Sequence, residues 1–327
     1  MYRRIQQRKL TMTKINVEKC AGILRGQDNV LILTHAHPDG DTLGCGFALC
    51  RALLKLGKKA RVICADVIPA KYDYLYRDLQ MPDFAPEYVV AVDVATETLL
   101  GSLADQYAGK IDLCIDHHGS NTAYARYLLL NADAAAAAET VFKVIRALGV
   151  KIDSHIADCL YTGLTTDTGC FRYASTTSNT YRAAAELIDL GANNGMINRW
   201  MFETKTKTYA ALERLAIENM RFYESGRVCV ITVTQDMYKA SGSGEEETEA
   251  LPPLTRQTEG VEIGLTVREK ADGRCKCSIR TYESVDASAL AACFGGGGHK
   301  QAAACNFDCG VDEAVKQLLE RCSEVLK

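Results

Sequence analysis

Two histidines and two aspartates fall within seven consecutive positions of the 327-residue chain, in the segment "THAHPDGD". They are His35, His37, Asp39 and Asp41, and they directly follow the apolar run "NVLIL". Carboxylate oxygens combined with a few imidazole nitrogens suit Mn²⁺ and, less well, Mg²⁺. The spacing predicts that one cation takes His35 and Asp39, while Asp41 reaches a second cation. A single aspartate here could instead cap a helix, because Asp41 and Thr42 precede an apolar helical segment.

Further acidic and histidine side chains follow other apolar runs. Asp93 ends the run in "YVVAVDVA", Asp116, His117 and His118 end the run in "KIDLCIDHHGSN", and Asp167 is expected in a loop within "GLTTDTGCF". Because the carboxyl ends of parallel strands meet at one edge of a sheet, we expect these groups to converge. Two divalent cations about 3.5–4 Å apart can share a bridging hydroxide and clamp a phosphoryl group. The pattern therefore predicts metal-assisted phosphoester hydrolysis.

The elements that position these residues alternate along the chain. From residue 17 to about 190, short β-branched runs such as "NVLILTH" and "ARVICAD" alternate with helical patterns such as "AAAAAETVFKVIRALG". This alternation predicts an α/β fold with a doubly wound, mainly parallel sheet and helices on both faces. Beyond "GRVCVITVTQDMY" strands predominate, which predicts a smaller α/β domain and a cleft between the two. The predicted parts are a catalytic domain over 1–195, a connecting helix or hinge over 196–225, and a substrate-binding domain over 226–327.

Composition narrows the class of substrate and the compartment. Apolar residues make up 47% and charged residues 24%, which is typical of a globular protein with a sizeable core. The net charge of −3 provides no general attraction to long duplex DNA, so a nucleic-acid substrate should be short or be bound by a local basic patch. The basic start of the chain lacks the pattern of a secretory signal, and no apolar run is long enough for a membrane span. Fourteen scattered cysteines favour buried free thiols, and therefore a cytoplasmic protein.

These segments together resemble a known family. "HAHPDGD", "AVDVA", "DHHGSN" and "TTDTGCF" are similar, in order and spacing, to motifs I to IV of the DHH phosphoesterases. The C-terminal segment "GGGGHKQAAA" resembles the glycine-rich signature of the associated DHHA1 domain. The resemblance extends from about residue 15 to residue 327. It implies the fold described above and an Mn²⁺-dependent hydrolase.

The resemblance also implies roles for individual residues. Three residues, including Asp93, would bind one Mn²⁺. Four residues, again including Asp93, would bind a second Mn²⁺, so Asp93 would bridge the two cations. Asp116 would orient a neighbouring ring within its loop, and His118 would face the substrate phosphate as hydrogen-bond donor or as the acid that protonates the leaving oxygen. His37 occupies a variable position of motif I and receives no ligand role. The first set is His35, Asp39 and Asp93, and the second is Asp41, Asp93, His117 and Asp167.

The glycine-rich segment "FGGGGHKQAAACNF" is the candidate substrate-binding element of the C-terminal domain. Gly296, Gly297 and Gly298 would let backbone N–H groups approach an anion, and "HKQAAA" is predicted to begin a helix that favours phosphate. Under the resemblance, His299 and the strand residue Arg280 of "SIRTY" hold the substrate across the cleft. The alternatives are a flexible loop and a surface arginine. The family pattern has glycine where this chain has Ala304, and a left-handed backbone there would strain the alanine.

A free-standing chain of this size is most similar to family members that degrade very short oligoribonucleotides (nanoRNA) and remove the 3′-phosphate from adenosine 3′,5′-bisphosphate (pAp). The expected mechanism is attack by a hydroxide that bridges the two cations. One alternative within the family is hydrolysis of cyclic di-AMP or its linear product pApA. An alternative from another class is a non-catalytic nucleotide sensor, which should lack a metal ligand. A homodimer is a further expectation.

Overall fold

The computed structural model describes residues 12–248, 250–282 and 284–326. The basic start of the chain, over residues 1–11, lies outside the described residues. The chain forms two compact units, and it passes from the first to the second between Thr204 and Lys205. Across the described ranges, none of the helices combines the length and the apolar character that a membrane crossing requires. The cysteines are free thiols and most are buried, as predicted.

The first unit contains a six-stranded sheet in which every pair of neighbouring strands is parallel. The strand order is β1-β6-β5-β4-β2-β3, so the predicted doubly wound parallel sheet is confirmed. The central strands are apolar at nearly every position because both of their faces are covered. The strands are β1 (Thr13–Lys14), β2 (Val30–Leu33), β3 (Ala60–Ile63), β4 (Tyr88–Val92), β5 (Leu113–Asp116) and β6 (Tyr127–Leu130).

Helices cover both faces of this sheet, but unequally. One face packs against a large core formed with the first, second, fourth and fifth helices, and the other against a smaller cluster around the third helix. Short 3₁₀ segments over Ala70–Leu75 and Glu97–Leu103 complete the connections. The helices are α1 (Val17–Arg25), α2 (Gly40–Lys55), α3 (Ala104–Tyr107), α4 (Ala137–Ala147), α5 (Ser154–Asp167), α6 (Ser178–Asp189) and α7 (Asn194–Asn198).

Helices α2 and α5 approach each other closely because glycines lie at their contact. A β-carbon at Gly44 would lie 2.3 Å from the carbonyl oxygen of Cys159, and one at Gly163 would lie 2.5 Å from Oδ1 of Asp41. The side chain of Thr166 occupies the space where Gly40 lacks a β-carbon. Gly40 and Gly44 in α2 and Gly163 in α5 therefore let the start of α2 pack closely against α5.

The segment 196–225, predicted as a connecting helix, is divided into several short elements. A π-helical turn at Arg199–Glu203 follows α7, and α8 (Lys207–Glu218) is followed by the strand β7 (Arg221–Tyr223). The hydroxyl of Thr206 accepts a hydrogen bond from the backbone N–H of Tyr209 and so caps the start of α8. A threonine that bonds its own backbone in this way favours a new helix start over continuation of the previous helix.

The second unit is built on a mixed six-stranded sheet with the order β11-β12-β10-β9-β8-β7. Only β8 and β9 pair in parallel among these described strands, and the other pairs are antiparallel. The remaining elements are β8 (Val228–Val233), α9 (Gln235–Ser241), α10 (Pro252–Thr255), β9 (Ile263–Glu269), β10 (Cys275–Thr281), α11 (Ala287–Ala292), β11 (Gly297–His299), β12 (Ala302–Phe307) and α12 (Val311–Val325).

The glycine-rich segment differs from the prediction. The residues "HKQAAA" do not begin a helix but form the β11–β12 hairpin, in which Gly297 pairs with Ala304. Ala303, Cys305 and Phe307 alternate into the core of the second unit, and β12 also pairs along β10. Sheet pairing and burial here outweigh the helical propensity of alanine. Ala304 lies in this extended strand without a left-handed backbone, so its substitution for the family glycine carries no backbone strain.

Candidate functional site

All six predicted metal ligands lie in two groups at the carboxyl edge of the parallel sheet and the adjoining helix ends. The first group is His35, Asp39 and Asp93, and the second is Asp41, His117 and Asp167. Within each group one ligand atom per residue lies within 4.8 Å of the others. Asp167, which was expected in a loop, is instead the last residue of α5. The helix end holds its carboxylate beside the strand-end residues.

Asp93 lies between the two groups and directly follows β4. One carboxylate oxygen, Oδ2, is 3.7 Å from Nε2 of His35, and the other, Oδ1, is 3.5 Å from Nε2 of His117. Its backbone is left-handed, with a φ of 57°, and the residue is only 2% exposed. A buried aspartate in this uncommon conformation is a feature of functional sites, where the surrounding structure holds the strain. Oδ2 thus faces His35, whereas Oδ1 faces His117 and also lies 3.4 Å from Nδ1 of His118. Asp93, His117 and His118 form a third group of possible metal ligands.

The two histidine rings are oriented by backbone carbonyl groups. Nδ1 of His35 is 2.8 Å from the carbonyl oxygen of Ala36, and Nδ1 of His117 is 3.1 Å from that of Ala134. A carbonyl oxygen can only accept a hydrogen bond, so each Nδ1 carries a proton, and in the neutral imidazole each Nε2 offers a lone pair. Metal-binding histidines in proteins are held in the same way.

Two buried polar atoms of the site have no hydrogen-bond partner within the described part of the chain. They are Nε2 of His117 and Oδ1 of Asp93. Leaving buried polar atoms unpaired costs about 1–3 kcal/mol each. They lie 3.5 Å apart, and both offer lone pairs when the imidazole is neutral and the carboxylate is ionised. A divalent cation would satisfy both atoms, so the residues present fit a metal centre.

Asp39 fixes the start of α2. It is the N-cap residue, and its Oδ1 accepts hydrogen bonds from the backbone N–H groups of Asp41 (3.0 Å) and Thr42 (3.1 Å). The helix-cap alternative therefore holds for Asp39 rather than for Asp41. The same Oδ1 lies 3.5 Å from Nε2 of His35, so the cap also presents a carboxylate to the first group.

Asp41 connects α2 to α4. Its Oδ2 accepts a hydrogen bond from the backbone N–H of Ala137 (2.6 Å), and its Oδ1 accepts one from Ala138 (3.0 Å). The buried thiol of Cys45 donates to the same Oδ1 at 3.3 Å. Because the N-cap residue Ala136 offers no side-chain acceptor, Asp41 caps α4 from another helix. Sequence reasoning missed this role.

The alanine run before α4 is also part of the site, although the sequence suggested only a helix former. The carbonyl oxygen of Ala134 orients the ring of His117, and the next two alanines precede the helix in an extended turn. Small side chains there let the backbone approach Asp41 and His117 closely. Five consecutive alanines beside a predicted ligand loop were the available signal.

Burial and like charge dominate the electrostatics of the site. Burial, followed by repulsion from Asp41 and Asp39, raises the pKa of Asp93 well above its usual value. Burial and the same two carboxylates raise the pKa of Asp167 well above the usual range. Burial also raises the pKa of Asp41, although the charge of His117 partly offsets it. Four converging carboxylates of this kind favour binding of a polyvalent cation.

Asp116 and His118 form a hydrogen-bonded pair beside the two groups. Oδ1 of the buried Asp116 is 2.8 Å from Nδ1 of His118 and accepts from the backbone N–H of His117 at 2.8 Å. Asn121, which sequence reasoning did not single out, donates to Oδ2 at 2.6 Å. Burial alone would raise the pKa of Asp116, but these bonds lower it. Burial would lower the pKa of His118, yet the bond to Asp116 raises it, so His118 retains a proton more readily.

His37 is not brought into either group. Its exposed ring lies 3.1 Å from Asp66, and its backbone is left-handed with a φ of 52°. None of the groups of possible metal ligands found among the described residues includes it. The assignment of no ligand role to His37 stays a prediction.

In the second unit, Arg280 and His299 lie in one row across the sheet. Arg280 in β10 pairs with Ala302 in β12, and Ala302 pairs in turn with His299 in β11. Directly paired residues on neighbouring strands point to the same face, so Arg280 and His299 share a face with the small Ala302 between them. Gly297 and Gly298 are exposed in β11 beside His299.

Comparison with known proteins identifies both units. The DHH family, N-terminal domain, matches residues 29–164, and the DHHA1 domain matches residues 230–327. The bifunctional oligoribonuclease and PAP phosphatase NrnA of Thermus thermophilus is 31% identical over 305 residues, which cover 91% of this chain and 90% of that protein.

Two solved structures have related folds. An exopolyphosphatase-related protein from Bacteroides fragilis superposes with a TM-score of 0.88 at 23% identity, covering 94% of this chain and 95% of the other. RecJ from Thermus thermophilus in complex with Mn²⁺ superposes with a TM-score of 0.56 at 15% identity, covering 93% of this chain and 53% of the other. With both domains matched in order and a close relative aligned along nearly its whole length, the chain belongs to the DHH/DHHA1 phosphoesterase family and is a hydrolytic enzyme.

Proposed function

We propose that this chain is an Mn²⁺-dependent phosphoesterase that hydrolyses short oligoribonucleotides and removes the 3′-phosphate from pAp. The observation that carries the proposal is the carboxylate of Asp93, whose Oδ2 faces His35 and whose Oδ1 faces His117. The printed activity of the 31%-identical relative supports the choice of substrate class.

In this proposal each group of ligands holds one cation. His35, Asp39 and Asp93 hold the first, while Asp41, His117 and Asp167 hold the second together with Asp93. The imidazoles in both groups favour Mn²⁺ over Mg²⁺, and a RecJ structure of related fold contains Mn²⁺. Two such cations, when bound, would supply activated water and neutralise charge on the phosphoryl oxygens.

The proposed role of His118 is to donate a proton or hydrogen bond to the phosphoryl group or the leaving oxygen. Asp116 holds Nδ1 of His118 and raises its pKa, so the ring keeps its proton to a higher pH than an isolated imidazole does. Asp116 acts through His118 and is therefore a positioning residue. Asp93, buried at the centre, fixes the geometry of both groups of ligands.

The proposed substrate contacts of the second unit are the row formed by Arg280 and His299 with the glycines 296–298 beside it. A guanidinium binds phosphate through paired hydrogen bonds, and backbone N–H groups without neighbouring β-carbons can approach an anion closely. The net charge of −3 supports short substrates over long duplexes. A cytoplasmic location and a homodimer remain predictions.

Two alternatives differ from this proposal in substrate or in class. Cyclic di-AMP or pApA could be hydrolysed by the same metal centre, because the centre selects the phosphoester and not the base. A non-catalytic sensor would be expected to lack a metal ligand, whereas all six ligands are present in this chain. Enzyme kinetics therefore have to distinguish hydrolysis of pAp and short RNA from hydrolysis of cyclic di-AMP or pApA.

The test is a side-by-side measurement of kcat/KM for the Mn²⁺-loaded protein on pAp, pApA, cyclic di-AMP and a ladder of RNA from dinucleotide to decanucleotide. We expect pAp and the shortest RNAs to exceed cyclic di-AMP and the longest RNA by at least about tenfold. Asp93→Asn, prepared in the same way, controls for contaminating nucleases. A preference for cyclic di-AMP would contradict the proposal.

A further inference from the structure

The segment that follows the metal-ligand candidate Asp167 has an unusual composition for this chain. Residues 168–182, "TGCFRYASTTSNTYR", contain two arginines, two tyrosines, a phenylalanine and no acidic residue, although the whole chain has a net charge of −3. Among the described residues of the first unit, the exposed aromatic side chains are Tyr173, at 41%, and Tyr181, at 56%. Both belong to this segment, so aromatic and cationic surface is concentrated beside the candidate metal centre.

The backbone after Asp167 turns back toward the end of α5. The N–H of Cys170 donates to the carbonyl of Thr165 at 2.7 Å, and the N–H of Tyr173 donates to that of Thr168 at 3.1 Å. Three consecutive residues, Gly169, Cys170 and Phe171, are left-handed, with φ of 56°, 59° and 62°. This compact turn returns Tyr173 to the neighbourhood of Asp167.

The ring of Tyr173 lies directly on Gly169. A β-carbon at Gly169 would lie 2.3 Å from the ring atom Cζ of Tyr173, so only glycine leaves room for the ring. Consecutive Cα atoms are about 3.8 Å apart, so Gly169 lies within about 7.6 Å of Asp167 along the chain. One part of the ring is covered by this backbone, and 41% of the residue remains exposed.

Arg172 and Phe171 stabilise the same turn. Nε of Arg172 donates to the carbonyl of Gly169 at 2.6 Å, and its guanidinium lies 5.9 Å from the ring centroid of Phe202. The ring of Phe171 is stacked with that of Tyr181 at 5.4 Å. The turn therefore carries a ring and a guanidinium, both in contact with Gly169, which lies two residues beyond the metal-ligand candidate Asp167.

We propose that Tyr173, flanked by Arg172, is a stacking platform for a nucleobase next to the hydrolysed phosphate of a single-stranded oligonucleotide. Aromatic rings bind bases of any sequence through their faces, and a neighbouring cation adds attraction to the phosphate backbone. This inference rests on the proposed function and extends it, because it assigns base binding to the catalytic domain itself. A purely structural Tyr173, which only covers Gly169, is the opposing interpretation.

The experiment compares a trinucleotide RNA with a matched trimer that carries abasic residues, using the full-length Mn²⁺-loaded protein. The variants are Tyr173→Leu and Tyr173→Phe, with Phe222→Leu as the control, because Phe222 is a ring of similar exposure (47%) on β7. We expect wild type, Tyr173→Phe and Phe222→Leu to show a KM about tenfold lower for the trinucleotide than for the abasic trimer. Tyr173→Leu should lose this discrimination.

Several outcomes overturn the inference. A wild-type protein that hydrolyses both trimers with equal KM would contradict base stacking. This comparison uses only the wild-type protein and does not depend on whether a variant folds. Undiminished discrimination in Tyr173→Leu would assign Tyr173 a structural role only. If wild type hydrolyses no RNA, the proposed function fails first. Binding of a fluorescent trinucleotide then tests the platform independently, and equal affinity of wild type and Tyr173→Leu would contradict it.

Discussion

Several requirements of the site meet in the single residue Asp93. It must adopt a left-handed backbone, remain buried, and direct each carboxylate oxygen to a different histidine. Aspartate and asparagine tolerate this conformation better than other non-glycine residues because their short polar side chains bond locally. The residue also has a pKa far above its usual value, because burial and neighbouring carboxylates oppose its ionisation.

Asp93→Asn tests the bridging role with little change of shape. Asparagine keeps the left-handed backbone but removes the negative charge and one oxygen ligand. We expect less bound Mn²⁺ and a kcat/KM lower by at least about 100-fold. Mutation of a residue that only hydrogen-bonds to a metal ligand already lowers metal affinity or activity about 10–100-fold. Metal analysis and steady-state kinetics measure both. Because the substitution relieves repulsion between carboxylates, the metal-free variant should be at least as stable as metal-free wild type. Near-normal activity would contradict the bridging role of Asp93.

The pair formed by Asp116 and His118 makes a prediction about pH. Asp116 raises the pKa of His118, so neutralising Asp116 should lower that pKa. If protonated His118 assists the reaction, Asp116→Asn moves the alkaline limb of the kcat/KM profile to lower pH. Pre-steady-state or steady-state pH profiles of both proteins provide the measurement. An unchanged alkaline limb would exclude His118 as the titrating acid. The control is Glu186→Gln, which removes an exposed ion pair with Arg146 and should leave the profile unchanged.

At the scale of elements, α2 organises the catalytic edge of the sheet. Its N-cap is Asp39, its first turn presents Asp41 to α4, and Gly44 one turn further lets it contact α5. These contacts bring motif I and motif IV together without a large side chain between them. The close spacing of α2 and α5 therefore depends on the absence of a β-carbon at Gly44, together with Gly40 and Gly163.

Gly44→Ala should lower the free energy of unfolding. The new β-carbon would lie 2.3 Å from the backbone oxygen of Cys159, which cannot move without shifting α5. Overpacking of this kind costs about 1–3 kcal/mol. Urea unfolding of the metal-free protein measures the change. Gly22→Ala in α1 is the matched control, because no atom lies within 4 Å of its β-carbon position and alanine should stabilise the helix by about 0.5–1 kcal/mol. Equal effects of both substitutions would contradict the packing argument.

At the scale of the whole molecule, the buried carboxylates couple metal binding to stability. Asp93, Asp41 and Asp167 have pKa values above the usual range, so the metal-free folded state binds more protons than the unfolded chain at mildly acidic pH. Their contribution to stability is complete below the ordinary carboxyl pKa and is lost as the pH rises through the raised values. Asp116, whose pKa is lowered, has the opposite dependence at more acidic pH.

The gain in melting temperature on adding Mn²⁺ should therefore increase with pH. A cation binds the ionised carboxylates, so it relieves a repulsion that grows as these groups deprotonate. We expect a larger shift at about pH 8 than at about pH 5, and reversal of the shift by a chelator. Thermal scans with and without Mn²⁺ across this range measure it. A shift that is independent of pH would contradict the ionisation argument, and Asp93→Asn should reduce the pH dependence.

The sequence by itself determined the parallel sheet and the position of the four motifs at its edge. Apolar runs mark strands buried on both faces, and residues that follow such runs must meet where the strands end. Only the tertiary structure decided which side chains and backbone groups from distant segments are in contact. The contact between Asp41 and Ala138 joins residues 97 positions apart, and the hairpin of "HKQAAA" forms because β10 pairs with it. Local patterns report propensity, whereas such contacts depend on how distant segments pack, and at the hairpin packing outweighed propensity.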